Sequence, residues 1–131
     1  MSQATRKRQD AEKRGHRAER RAILSYVMRG FRVLARRYRT NLGEIDFIAA
    51  RGDVLAFVEV KARETKTEGI DAVTYRARRR IESAARQFLA REARLIGRPP
   101  DVFAIRYDII VVGSNILRDV WHEADAWREG E

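Results

Sequence analysis

Apolar residues recur along this chain in two rhythms, and the switches between them mark its elements. Residues 10–29 contain no proline, and Glu19, Ile23, Tyr26 and Val27 fall at helical spacing on one face. Gly30 stands where a helix C-terminal cap belongs. Residues 1–9 are polar and basic and read as a frayed, disordered tail. Residues 31–39 (FRVLARRYR) alternate in part and predict a strand, followed by a turn at Thr40-Asn41-Leu42-Gly43. Residues 44–50 and 54–62 predict two further strands, broken by Arg51-Gly52-Asp53. Residues 65–69 are polar and read as a loop. The spacing predicts a helix over 73–95, with Ala77, Ile81, Ala84, Ala85, Phe88 and Leu89 on one face. Arg76, Arg79 and Arg86 project from the other. Gly97-Arg98-Pro99-Pro100 ends it, and residues 103–112 (FAIRYDIIVV) are apolar enough for a central, covered strand. Residues 121–127 show no decisive pattern. The expected order is α-β-β-β-α-β: one α/β domain over residues 10–131, a mixed central sheet flanked by helices.

The pattern around Gly52 has a consequence for chemistry. With a two-residue loop at Gly52-Asp53, glycine occupies the first central position of a type II′ turn. Arg51 then faces Val54, Asp46 faces Glu59, and Glu44 faces Lys61. Ile45, Phe47, Ala49, Ala56, Val58 and Val60 share one face. The other begins apolar at Ile48 and Phe57 and turns polar at Asp46, Glu59, Glu44 and Lys61. Directly opposed carboxylates, with Cβ atoms roughly 4.5–5.5 Å apart, repel one another. A divalent cation between them removes that repulsion. The chain has no cysteine, and its only histidines are His16 and His122. Oxygen donors therefore favour Mg²⁺ or Mn²⁺ over zinc. Such an ion polarises a phosphoryl oxygen and acidifies a bound water, which Lys61 is placed to orient. The competing reading is a solvated strand face with a simple Glu44–Lys61 ion pair. A register slip of one residue would undo the site.

Charge narrows the partners. Among 131 residues, 28 Lys and Arg stand against 19 Asp and Glu, a formal charge of +9. So basic a small domain points to a polyanion, most often nucleic acid, although a basic solubilising surface has the same composition. Only Lys7, Lys13, Lys61 and Lys66 are lysines. The absence of cysteine excludes disulfides and thiolate chemistry and suits a reducing cytoplasm. The first twenty residues lack the apolar core of a secretory signal, and no apolar run approaches a membrane span. A cytoplasmic protein with no membrane partner is expected.

RGHRAE (14–19), GEIDFIA (43–49), FVEVKAR (57–63), the arginine-rich segment near 73–90 and RYDII (106–110) together resemble the YraN-like family of small bacterial predicted endonucleases. The resemblance implies a PD-(D/E)XK nuclease fold of the Holliday-junction-resolvase type. It implies a metal-binding and catalytic core at Asp46, Glu59 and Lys61, with Glu19 as the first acidic position completing the metal site. Read from the residues alone, Glu19 lies on the inward helical face, where a half-buried acid paired with a local arginine is the equal alternative. Where the family has Lys-Gln early in its second long helix, this chain has Ala77-Arg78, so Arg78 and Arg79 stand in for the phosphate contact. Ile45 occupies the position of the fold's namesake proline. The resemblance further implies branched or structured DNA, with a homodimer suited to symmetric junctions. Arg76, Arg79 and Arg86 then form a phosphate-tracking stripe, or else a solvated face with partners such as Glu82. Asp108 is expected to pair with Arg106 or cap a neighbour rather than join the site, and His122 and the tryptophans to pack the tail. The expectation is a Mg²⁺-dependent DNA endonuclease. The alternatives are a non-catalytic nucleic-acid-binding protein of the same fold, which Ala77-Arg78 favours, and a basic protein-interaction module.

Overall fold

Ser2 starts the first helix: its hydroxyl accepts the Thr5 N–H at 3.1 Å, and α1 runs Gln3–Met28 in the computed structural model, which describes residues 2–131. The expected disordered tail is therefore helical from Gln3, because a serine cap is followed by no helix breaker before Gly15. At 26 residues, α1 is about 39 Å long. Its buried side chains, Ala18, Glu19, Ala22, Ser25 and Tyr26, all lie in the C-terminal half. Gly30, at φ +90°, ends it in the left-handed conformation.

Three strands follow: β1 (Arg32–Arg39), β2 (Glu44–Arg51) and β3 (Val54–Ala62). Gly52 has φ +55°, the positive value that the first position of a primed turn requires. Three short departures from the expected order come next. Residues 65–69 enter a helix, α2 (Lys66–Ala72), because Thr65 accepts the Glu68 N–H as an N-terminal cap. The helix expected over 73–95 is α3 (Tyr75–Arg91), capped by Thr74, and then a separate turn, α4 (Ala93–Ile96). After a 3₁₀ turn at Pro100–Val102 and β4 (Ala104–Val112), the indecisive segment forms β5 (Val120–Trp127).

The sheet has five strands in the order β1-β2-β3-β4-β5, antiparallel except for the parallel β3–β4 pair. That pair needs a crossover, and α2 to α4 supply it. The fold is thus a mixed α/β sheet flanked by helices. Both faces are covered. Ala22 and Tyr26 of α1 pack with Phe31, Phe47, Ala49, Ala56, Val58 and Ile110 on one. Ile81, Ala84, Ala85 and Phe88 of α3 pack over Ile48, Leu55, Phe57 and Ile109 on the other. As expected, the second face is apolar at Ile48 and Phe57, and α3 covers it there. Among the described residues no helix is long and apolar enough to cross a membrane.

A buried polar node ties α1 to the far strands. Asp108 is fully buried; it accepts from Tyr26 Oη at 2.6 Å, from Arg106 at 3.0 and 2.7 Å, and from the Asp125 N–H at 2.9 Å. The last bond fills the gap where the β4–β5 register shifts between Tyr107 and Ile109. Burial alone would raise the Asp108 carboxyl, but hydrogen bonds from His122, Arg106 and Tyr26 hold it well below the ordinary carboxylate range. Asp108 thus pairs with Arg106 and caps a neighbour, as expected. His122 packs edge-on against Tyr26, ring centroids 4.8 Å apart.

Gly43 sets how closely β2 approaches α3. A Cβ there would lie 2.3 Å from the Arg80 carbonyl oxygen, a backbone atom that cannot swing away. Gly43→Ala is expected to lower stability by about 1–3 kcal/mol through overpacking. Urea unfolding of the two proteins measures it, and a loss below about 0.5 kcal/mol, the level of an ordinary surface change, would contradict the close approach.

Candidate active site

The β2–β3 ladder forms in the expected register, from Arg51 opposite Val54 to Phe47 opposite Val58, and there it stops. At the next position Asp46 turns its carboxylate into the ladder: Oδ2 accepts the Val60 N–H at 2.7 Å. A side chain has taken the place of a backbone acceptor. On the other edge of β2, the pairs Arg36–Phe47 and Tyr38–Ile45 flank Arg37, whose φ is +49°. A left-handed arginine is a local strain that the surroundings must hold.

This irregularity changes the faces. Ile45, expected beside Phe47, instead joins Ile48 and Phe57 in the core beneath α3, while Phe47 packs under α1. Glu44, expected to face Lys61, pairs with Arg39 of β1 at 3.3 Å. Strict alternation fails here because neither edge of β2 keeps regular pairing at Asp46.

Asp46 and Glu59 do come together. Burial, then a hydrogen bond from one carboxyl to the other, then the charge of Asp46, push Glu59 well above the ordinary carboxylate range. Lys61 and the Val60 N–H pull it the other way. Two carboxyl groups this close repel one another when both are charged, which favours the protonated form of Glu59. A divalent cation would relieve the same repulsion, and a hard, all-oxygen pair suits Mg²⁺ or Mn²⁺.

Glu19 reaches the same cleft, whose walls include Glu12, His16, Glu19, Arg37, Glu44 and Asp46. Its carboxylate is nevertheless engaged by Arg36 Nη2 at 3.4 Å and Arg37 Nε at 3.2 Å. The pairing with local arginines is the arrangement present. Among the described residues no three His, Asp or Glu side chains are grouped to hold a metal ion. The site is therefore a carboxylate pair with Lys61 beside it and Glu19 across the cleft.

The α3 arginines have other occupations. Arg78 lies over the Trp127 ring at 5.1 Å and donates to the Val73 carbonyl at 3.2 Å. Arg79 pairs with buried Glu82 at 3.0 Å and donates to the Glu131 carbonyl. Arg86 pairs with Glu129. Glu82 also accepts the Trp127 indole N–H at 2.9 Å. This stretch of α3 docks the C-terminal segment; of the expected stripe, Arg76 and Arg86 are exposed, and Arg86 is paired with Glu129. Arg37, which lines the cleft from β1, and its neighbour Arg36, which also holds Glu19, were not singled out in the sequence. Their signal is an Arg-Arg pair breaking the alternation of a strand.

The family described as "Uncharacterised protein family UPF0102" matches residues 18–112. The UPF0102 protein of Mesorhizobium japonicum is 47% identical over 80% of this chain and 80% of its own. That of Agrobacterium fabrum is 47% identical over 81% of this chain and 83% of its own. That of Brucella canis is 46% identical over 86% and 85%.

The raised Glu59 carboxyl carries a stability consequence. Its proton is favoured in the folded state, so the contribution is fully present below the ordinary value of 4.5 and is lost as pH rises through the higher folded value. Without added metal, Glu59→Gln should melt at a higher temperature than wild type near pH 8, with the gap closing toward pH 4. Melting curves across that range test it; a gap independent of pH would show that Glu59 is not held protonated.

Proposed function

This chain belongs to the UPF0102 family, and we propose that it is a metal-dependent DNA endonuclease with a PD-(D/E)XK core. The observation that carries this reading is the Asp46–Glu59 pair, half-buried and held together against its own repulsion at the frayed end of a hairpin. Stability does not call for such a pair: two like charges there weaken the sheet, and function is the economical reason to keep them. A chain with a formal charge of +9 supplies the polyanion-binding background.

In the mechanism, Asp46 and Glu59 would hold Mg²⁺ or Mn²⁺, and the Val60 N–H fixes the Asp46 carboxylate through Oδ2. The ion, when bound, polarises a phosphoryl oxygen and acidifies water. Lys61, already within electrostatic reach of Glu59, neutralises charge on the attacked phosphate. Arg37 and Arg39 line the opposite wall and hold the flanking backbone. Glu19 fixes Arg36 and Arg37 rather than the metal, a positioning role. Branched DNA and a dimeric enzyme follow from the resemblance to the resolvase-type nucleases.

One observation favours the second reading, a nucleic-acid-binding protein without turnover: Glu19 is sequestered by two arginines, leaving only two carboxylates for a metal. Incubating wild type and Asp46→Ala with labelled linear, flap and four-way-junction DNA, with and without Mg²⁺ or Mn²⁺, separates the two. Cleavage that needs the metal and falls about 100-fold or more in the variant is expected, since even ligand-supporting residues are worth about 10–100-fold. Salt-sensitive binding by both proteins with no cutting would replace the enzyme by the binding module.

A further inference from the structure

The side of α1 turned away from the sheet carries the largest concentration of exposed apolar side chains near a single groove. Leu24 is 50%, Val27 50% and Met28 76% exposed on the helix; Ile116 and Leu117, in the turn between β4 and β5, are 37% and 87% exposed. Leu24, Met28, Ile116 and Leu117 form the floor of a groove whose rim is Arg17, Arg20 and Arg21. Arg21 Nε donates to the Ile116 carbonyl at 2.7 Å and fixes the turn against the helix, so the groove is built rather than incidental. None of the ion pairs among the described residues uses Arg17, Arg20 or Arg21. Their charge is unanswered within the chain. On α3, by contrast, Arg79 and Arg86 are matched by Glu82 and Glu129.

An apolar floor with a cationic rim selects its occupant by exclusion. A second copy of this chain, packed about a two-fold axis, would bring the same three guanidinium groups against each other with no acid between them. Nucleic acid would find the rim, but the aliphatic floor offers no aromatic ring on which a base can stack. A bilayer requires a helix face that is apolar along its length; here Lys13, Arg17 and Arg20 interrupt that face above Leu24. A polypeptide supplies both halves of the complement: apolar side chains for the floor and carboxylates for the rim.

We propose that the groove formed by Leu24, Met28, Ile116 and Leu117 docks a short segment of a partner protein in which leucine-like side chains are flanked by Asp and Glu. It lies on the face of α1 opposite the sheet, is independent of the cleft that Asp46 lines, and does not rest on the nuclease reading. A protein that acts on DNA through the cleft would be recruited through the back of the same helix.

The test is fluorescence anisotropy with a short labelled peptide in which Asp and Glu flank a run of Leu. Two control peptides accompany it, one with Ser for Leu and one with Lys for the acids. Saturable binding is expected for the first alone, weakened about tenfold or more by Leu117→Glu and by Arg20→Glu. Both substitutions lie at exposed positions, and circular dichroism of each variant confirms that it is folded. Asp46→Ala should bind the peptide as wild type does, so that failure of the nuclease reading and failure of this one are distinguishable. Equal binding of the Ser peptide would overturn the proposal by reducing it to charge alone. Binding of vesicles of anionic and zwitterionic lipid in place of the peptide would overturn it in favour of a membrane surface. A concentration-dependent dimer abolished by Leu117→Glu, with no peptide binding, would assign the groove to a second copy.

Discussion

The hydrogen bond from the Val60 N–H to Asp46 Oδ2 is the point on which the candidate site turns. An antiparallel ladder ordinarily satisfies each inward backbone group with another backbone group. When a carboxylate takes that role, the strand supplying it can no longer run flush with its neighbour, and the ladder ends at Phe47–Val58. The opening is what makes a cleft. It also explains why Ile45 and Phe47 go to opposite sides of the sheet, and why Arg37 adopts a left-handed backbone on the adjoining strand. One side chain thus ends the pairing, redirects the core and faces the opening it has made.

Such an opening weakens the sheet locally, and the rest of the fold compensates by holding the surroundings firmly. Both faces of β2 and β3 are covered up to the point of divergence, by Phe47, Ala49, Ala56 and Val58 under α1 and by Ile48, Leu55 and Phe57 under α3. The position of α1 matters most, because it carries Glu19 and His16 to the cleft. Its anchor is Tyr26, whose hydroxyl donates to buried Asp108 at 2.6 Å and whose ring packs on Phe31 and Phe47 at 5.0 Å. Burial, then the Asp108 carboxylate, keep the Tyr26 phenol from ionising. A buried acid with four hydrogen-bond donors around it is satisfied, whereas one left unpaired would cost several kcal/mol. Asp108 therefore acts at a distance, by orienting the helix that forms one wall of the site.

The hairpin was the most legible part of the sequence, and for a physical reason. Gly52 at a primed turn fixes the register locally, and every pair from Arg51–Val54 to Phe47–Val58 follows from it. The approach of Asp46 to Glu59 followed too. What periodicity missed was the end of that register, because a side chain substituting for a backbone acceptor leaves no mark on an alternation pattern. The same limit hid β5: its register shift against β4 and the positive φ at Asp125 break the alternation by which a strand is recognised. The extra helix α2 was signalled by Thr65 and Glu68, but a seven-residue element offers too few apolar positions for its period to show. Glu19 was left between metal ligand and arginine partner because both place a carboxylate on the inward face. The deciding groups, Arg36 and Arg37, lie on another strand.

Net charge, the broadest signal in the sequence, changes meaning once the ion pairs are known. The arginines that looked most like a nucleic-acid track, on α3, are largely spent on the protein itself: Arg79 on Glu82, Arg86 on Glu129, and Arg78 on the Trp127 ring. Arg106, Arg98 and Arg128 are likewise matched by Asp108, Asp53 and Asp125. The excess of positive charge therefore has to reside elsewhere, and the N-terminal half of α1 holds much of it. Arg6, Lys7, Arg8, Lys13 and Arg14 stand there against only Asp10 and Glu12. That half buries nothing, yet Glu12 and His16 place it along the wall of the Asp46 cleft. A solvated helix of this kind draws little stability from the core, so its composition is free to follow another demand. Proximity to the carboxylate pair and unmatched charge coincide on the first helix, not on the arginine-rich third one. The electrostatic argument for a polyanion at this site accordingly rests on α1.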